Sequence, residues 1–336
     1  MIVSRTPLRI SFFGGGTDLP EYYLHEEGCV LATAITKYIY VMANGRFDQT
    51  VEAADTCQQL GGYYDKLGRD LISECARKTG MSSSLRVVVL GDVPDAGTGL
   101  GSSSALAVGL LNAMYSAANQ PQSAEGLALD AVAIEIGTLG RPIGVQDHYM
   151  AAYGGQRLLH FRTDGLVESE SLRLDIAESI ELQRHLMLFF VGARRADTIL
   201  QEQRRNTDHL FGPLTELKHL ALQGWAYLRA GQLDDFGRLL HRGWQIKKRL
   251  ASGISNNFID NAYEAALQAG CLGGKICGAG GGGFLLLYCP PARQASVRAV
   301  LDSLRELHFA FEPEGTRIMC RSPALEHSDE SHYLRL

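Results

Sequence analysis

The spacing of apolar residues changes along the chain, and each change marks an element. "VSRTPLRISFF" (3–13) and "VLATAITKYIYVMANGRF" (30–47) mix β-branched and aromatic residues with polar ones in partial alternation, which predicts two strands. "LRVVVLG" (85–91) reads as another, buried on both faces. From Ser102 the spacing lengthens. Leu106, Leu110 and Met114 recur at every fourth position, so a helix is predicted to about Ala118. A second is predicted from Ser123 to Leu139, with Glu125 in its first turn, where the helix dipole favours a carboxylate.

"GGQRLLHF" (154–161) and "HLMLFFVG" (185–192) return to strand. From Arg194 to about Gly270 helical spacing dominates, with breaks expected at Gly212-Pro213, Gly231 and Gly253. "GFLLLYC" (283–289) reads as a buried strand. A helix near 293–306, closing strands "HFAFEP" (308–313) and "TRIMC" (316–320), and a polar tail from 323 complete the chain. The polar, charged stretch 162–179 suggests a boundary near 165–184, giving an N-terminal domain over 1–180 and a C-terminal domain over 181–336. This order is that of an α+β protein.

The 336 residues and 46% hydrophobic content suit one large or two closely packed domains. A mixed surface with a net charge of −5 argues against a nucleic-acid or membrane partner. Seven cysteines, an odd number with no CxxC pair, argue against a disulfide framework and a structural zinc site, and point to a reducing cytoplasm. The apolar stretch at the N-terminus is interrupted by Arg5 and Arg9, unlike a signal peptide, and no run approaches the roughly 18 apolar residues of a membrane span. A monomer or homodimer is expected.

Glycine changes the picture. The 37 glycines cluster at 14–16, 97–101 and 278–283. In "GDVPDAGTGLGSSSALAVGLLNAM" (91–114) the middle cluster opens the predicted helix. Free N–H groups and the dipole at a helix start attract anions, and glycines let an anion approach the backbone. Gly97, Gly99, Leu100, Gly101, Ser102, Ser103 and Ser104 therefore read as a phosphate cradle with a serine available to Mg²⁺. A tight strand-to-helix turn capped by serine would use the same residues. Two familiar phosphate motifs are absent here. Lys275 lacks the glycine and serine partners of a P-loop, and Gly101 is followed by serines where a dinucleotide fingerprint continues to another glycine.

"PDAGTGLGSSSA" resembles the phosphate-binding motif of the GHMP kinases, with Pro94 one residue further from the glycines than in most members. "TPLRISFFGGGTDLPEYY" (6–23) is similar to the family's N-terminal substrate motif, and "GGKICGAGGGGFLLLY" (273–288) to its C-terminal glycine-rich motif. Three motifs in order across nearly the whole chain imply a two-lobed fold of mixed sheets packed with helices, with the active site in the cleft between lobes. "GGGTD", "GVQDHYMAAYGG" (144–155), "FFVGARRADTILQEQ" (189–203) and "HRGWQIKKRLASGIS" (241–255) resemble the sugar-1-kinases of the heptose branch. That likeness implies ATP-dependent phosphorylation of the anomeric hydroxyl of a heptose 7-phosphate, towards GDP-heptose and surface polysaccharide. A fucokinase, a galactokinase, a uronic-acid kinase or a silent sugar- or nucleotide-binding sensor would share the fold.

The resemblance also assigns roles. Ser103 and Glu135 would hold Mg²⁺. Asp147 would receive or polarise the acceptor proton, with Arg9 near the transferring phosphoryl group. Gly15, Gly16, Thr17, Asp18, Gly280 and Gly281 would shape the sugar pocket. Each has a plainer alternative. Glu135 has Ala131, Val132 and Leu139 as helical neighbours, an apolar face that disfavours a carboxylate without a partner, unless it reaches solvent. Asp147 could cap a helix, Asp18 could serve the turn, and Arg9 could lie on the surface. His148 reads as a supporting residue. For a substrate phosphate the candidates are Arg194 and Arg195, then Arg204, Arg205, Lys247 and Lys248.

Overall fold

The computed structural model describes residues 1–45, 51–55, 66–81, 85–94, 97–172, 174–192, 199–202 and 207–322. The chain opens with two long antiparallel strands, β1 (Ile2–Phe13) and β2 (Gly28–Gly45), paired from Ile2↔Ala43 to Phe13↔Leu31. Their register shifts after Pro7, which has no N–H to donate. The β2 residues skipped there turn to another partner: Thr36 N–H donates to Ala310, and the Ala310 N–H donates back to Thr36 Oγ1.

The first sheet adds β3 (Val51–Asp55), β4 (Leu85–Gly91), β5 (Gln156–Phe161) and β6 (Val167–Ser171), and closes with β11 (Arg317–Arg321) against β1. The second has the order β10-β7-β9-β8, from β7 (Leu186–Phe190), β8 (Gly273–Ile276), β9 (Phe284–Tyr288) and β10 (Arg305–Glu306).

Helices fill the space around the sheets. In chain order they are α1 (Pro20–Tyr23), α2 (Lys66–Lys78), α3 (Ser102–Ala117), α4 (Ala124–Val132), α5 (Gln146–Tyr153), α6 (Ile176–Arg184), α7 (Thr207–Arg229), α8 (Leu233–Lys247), α9 (Asn257–Gln268) and α10 (Gln294–Val300). Among the described residues no helix is long and apolar enough to cross a membrane. Helix α3 is buried on nearly every side and lies on β1 and β2, where Ser4 Oγ donates to the Gly109 carbonyl at 2.8 Å. Phe236 of α8 is fully buried, edge-on to both Phe12 and Phe13 at 5.2 Å between ring centres, and fastens this helix to β1.

Tertiary contacts override several local expectations. Strand β4 alternates: Leu85, Val87 and Val89 are buried, while Arg86 and Leu90 are exposed, because only one face is covered. Helix α7 runs through Pro213. The missing hydrogen bond is outweighed by burial of Leu214, Leu217, Leu220 and Ala221. The predicted helix at 293–306 ends at Val300 so that the chain can reach β7, where Leu307 N–H bonds to the Leu188 carbonyl. "HFAFEP" is not a ladder strand. It makes one bridge, Phe311 to Ile35, and its N–H groups find separate acceptors, including Gln183 Oε1 and the Ala34 carbonyl. The predicted helix from Ser123 changes character midway: Ser123 caps α4, but Ala133–Thr138 forms a π-helical turn.

Phe236→Ala should cost about 3–5 kcal/mol, the usual result of deleting a buried aromatic ring. Urea unfolding of the two proteins measures it, and a loss below about 1 kcal/mol would show that the aromatic cluster is not what joins α8 to β1.

Candidate functional site

The glycine loop before α3 is held by a second glycine loop. Gly97, Gly99 and Gly101 all take positive φ. A Cβ on Gly99 would lie 2.3 Å from the Cys277 carbonyl oxygen, and one on Gly278 2.6 Å from Gly99 Cα, so the two backbones touch directly. Helix α3 begins after Gly101 with no side-chain cap. This answers the choice left open by the sequence: no serine is spent as the helix N-cap, which leaves the first-turn N–H groups available for an anion. The Leu100 side chain is buried and its carbonyl accepts from Arg9 N–H at 3.0 Å. Ser102 and Ser104 are buried, whereas Ser103 is exposed.

Arg9 and Asp147 form a fork. Nε donates to Oδ1 at 2.6 Å and Nη2 to Oδ2 at 2.7 Å, while Nη1 donates to the Gly99 carbonyl at 2.6 Å. Arg9 is nearly buried and the Asp147 side chain is 21% exposed, so the carboxylate keeps an open side. The α5 N-cap is Val145 and Asp147 caps nothing. The guanidinium therefore fixes the carboxylate beside the glycine cradle.

Glu135 lies in the π turn, where Leu139 N–H bonds to the Ile134 carbonyl; such turns concentrate at functional sites. It is fully buried. His148 Nε2 meets Oε2 at 2.7 Å, Ser103 Oγ donates to Oε1 at 2.6 Å, and Arg141 Nη1 donates to both Ser103 Oγ and Glu135 Oε1. Burial pushes the carboxyl pKa up, but the His148 hydrogen bond and charge, the Arg141 charge and the Ser103 hydroxyl outweigh it and hold it at about 2. The predicted metal pair thus converges on one point, and a cation already stands there. A hydroxyl and a carboxylate oxygen suit Mg²⁺, which usually takes few protein ligands and completes its shell with phosphate and water. The residues fit the ion.

Next to the fork lies a cavity of about 90 Å³, lined by Arg9, Ser11, Asp18, Gln146, Asp147 and Lys247, with Gly15, Gly16, Gly278 and Ala279 among its wall residues. Asp18 accepts from Gly16 N–H at 2.9 Å and Gln146 Nε2 at 3.0 Å. It fits only because position 144 is glycine, where a Cβ would sit 1.9 Å from its Oδ2. Burial, and then the Asp147 charge, raise its pKa. Ser11 Oγ and Gln146 Oε1 are buried with no hydrogen-bond partner among the described residues. Both aligned and orphaned polar groups in one wall suit a hydroxylated ligand.

The structure redistributes the other sequence candidates. The Thr17 hydroxyl is used by the backbone of Gly14 and Cys29 and does not line the cavity. Gly280 and Gly281 pack on Ile254, leaving Gly278 and Ala279 of the same loop at the wall. Arg194, Arg195, Arg204 and Arg205 lie outside the described residues. Lys248 pairs with Asp260 at 3.2 Å, away from the cavity. Ser11 and Gln146 lie inside marked segments without being singled out there, and Arg141 lies in none. Only the third dimension places them, although Gln146 precedes Asp147 in a segment already marked.

The comparisons with known proteins fit this geometry. Residues 66–155 match the family description GHMP kinases N terminal domain, and residues 226–307 match GHMP kinases C terminal, together about half of the chain. D-glycero-alpha-D-manno-heptose 7-phosphate kinase of Campylobacter jejuni is 28% identical, over 94% of this chain and 98% of its own. A galactokinase of Roseiflexus sp. is 26% identical, over 96% and 91%. The crystal structure of a D-glycero-D-manno-heptose 1-phosphate kinase from Bacteroides thetaiotaomicron superposes with a TM-score of 0.78 at 25% identity, over 96% of this chain and 100% of that one.

Glu135→Gln should lower stability at neutral pH by about 3–5 kcal/mol, the cost of breaking a buried ionic contact. Because the folded carboxyl titrates near 2, below its ordinary 4.5, its contribution is full above pH 4.5 and is lost as pH falls towards 2. Urea unfolding across that window should therefore show a shallower acid limb in the variant. Identical limbs would mean Glu135 is not held ionised by its partners.

Proposed function

The chain belongs to the GHMP kinase family, and from that premise we propose that it transfers the γ-phosphoryl group of ATP to the anomeric hydroxyl of D-glycero-D-manno-heptose 7-phosphate, giving the 1,7-bisphosphate. As a sugar kinase of this family it is a phosphotransferase with an alcohol acceptor. The observation that carries the acceptor reading is the cavity beside Asp147, with Asp18, Ser11 and Gln146 offering polar atoms to a polyhydroxylated ring.

Phosphoryl transfer needs positioning and charge neutralisation more than covalent chemistry. The first-turn N–H groups of α3 and the loop from Gly97 to Gly101 bind the phosphates of ATP. Ser103 and Glu135 would hold Mg²⁺, which neutralises phosphate charge when bound. Asp147, fixed by Arg9, orients the acceptor hydroxyl and takes its proton as the new O–P bond forms and the bond to the departing ADP breaks. Asp18 anchors a ring hydroxyl. Arg194 and Arg195 are our candidates for the substrate's own phosphate. Seven cysteines with no CxxC pair are the ground on which we propose a reducing, cytoplasmic setting.

ADP release with Mg-ATP tests the reading against D-glycero-D-manno-heptose 7-phosphate, the free heptose, mannose, fucose and galactose. The 7-phosphate should exceed every free sugar in kcat/KM by at least about 100-fold, since a buried or clamped phosphate contributes several charge-assisted hydrogen bonds. Faster turnover of fucose or galactose would move the acceptor while keeping the kinase. Asp147→Asn should lower kcat by roughly 10²–10⁴-fold with ATP affinity nearly unchanged, as calorimetry would show. Turnover near that of the parent would remove Asp147 from its role.

A further inference from the structure

Two buried lysines stand near the cavity, and they are held very differently. Lys275 of β8 is 5% exposed, and its Nζ donates to the carbonyls of Ser11 at 2.7 Å and Phe12 at 3.0 Å. It ties the second sheet to β1 and does not line the cavity. Lys247, the last residue of α8, is 7% exposed, lines the cavity, and donates to the Gly278 carbonyl as its one acceptor among the described residues. A lysine carries three N–H donors, and a buried charge left this short of partners is costly. The remaining donors of Lys247 have no acceptor among the described residues, and the side chain lines the cavity.

Its position says which part of the reaction it meets. Lys247 bonds Gly278, Gly278 rests on Gly99, Gly99 accepts from Arg9, and Arg9 grips Asp147. Lys247 therefore stands at one end of a chain of contacts that leads to Asp147, and both ends line the cavity, bordering the passage from the glycine loop to that carboxylate. A phosphoryl group moving from ATP to the acceptor crosses that passage. The Arg9 guanidinium faces it with both edges already engaged, on Asp147 and on Gly99.

We propose that Lys247 is the catalytic cation that contacts the oxygens of the transferring phosphoryl group, and that Arg9 is a positioning residue for Asp147. The proposal rests on phosphoryl transfer by this chain and not on which sugar accepts. The group must be charged to act. Burial lowers its pKa to about 8, with the Arg9 charge acting in the same direction and Cys277, Asp18 and Asp147 opposing it. Lys275 is the other basic group nearby, and burial, then the Lys247 charge acting in the same direction, lower its pKa well below the ordinary value.

The test compares Lys247→Met and Lys247→Arg with the parent in sugar phosphorylation and in the slow hydrolysis of Mg-ATP without sugar. Lys247→Met should lower both rates by roughly 10²–10³-fold, as removal of one preorganised charge does elsewhere, with acceptor KM within about threefold. In the parent kcat should fall above about pH 8 as the ammonium loses its proton, and Lys247→Arg should remove that alkaline limb. Hydrolysis left intact with a loss confined to acceptor KM would overturn the proposal and make Lys247 a sugar-binding residue. Both rates within about threefold of the parent would overturn it too. If the methionine variant fails to fold, persistence of the alkaline limb in the arginine variant would decide against the proposal. Burial raises the Cys277 thiol pKa, so a limb that survives the arginine change would belong to another group. Because hydrolysis needs no sugar, a wrong acceptor assignment leaves this outcome readable.

Discussion

The pairing of Arg9 with Asp147 is the constraint on which the site depends. It joins the first strand to a helix 138 residues later, and it does so with a bidentate, nearly buried ion pair. A buried guanidinium is tolerated only when its donors are met. Two are met by the carboxylate, and the Gly99 carbonyl takes another, so one side chain sets the distance between Asp147 and the glycine loop before α3. Gly99 has no Cβ, which lets the loop around Gly278 close over it from the other sheet. The cavity beside Asp147, the glycine loop before α3 and the second sheet are thereby held at fixed separations.

A second cluster stands behind the first. Glu135 reaches Ser103 because the helix after α4 widens into a π turn, and His148, next to Asp147, supports it from α5. The carboxylates of Asp147 and Glu135 thus share α5 as a common footing, one carried by it and the other supported from it through His148. Movement of α5 would be felt at both.

Much of this was legible in the chain itself. The glycine clusters announced close backbone approaches, because these depend on local spacing, whereas the apolar neighbours of Glu135 left open a carboxylate reaching solvent, and only the partners His148, Arg141 and Ser103 decide for burial. Ser11 and Gln146 were not legible. Their significance comes from polar atoms left without partners once β1 and α5 meet, which no period expresses. Lys247 was visible only as one of several basic residues, and it took the packing of α8 to separate it from Lys248. Strand β4 and the "HFAFEP" segment show the same limit for the fold. Burial on one face, and hydrogen bonding to scattered acceptors, are decided by neighbours distant in sequence.

Strand β11 pairs Arg321 with Ile2, so the outer edge of β1 is covered by nearly the last described residues, which are made long after it. Ribosomes add about 5–20 residues per second, so that edge stays bare on the order of tens of seconds while the rest of the chain emerges. An open row of N–H and C=O groups is a template for any neighbouring strand, including one from another nascent copy. Production of this protein at high translation density should therefore be governed by how well that edge is shielded before release, and a chaperone that binds extended apolar strands would act at β1 first.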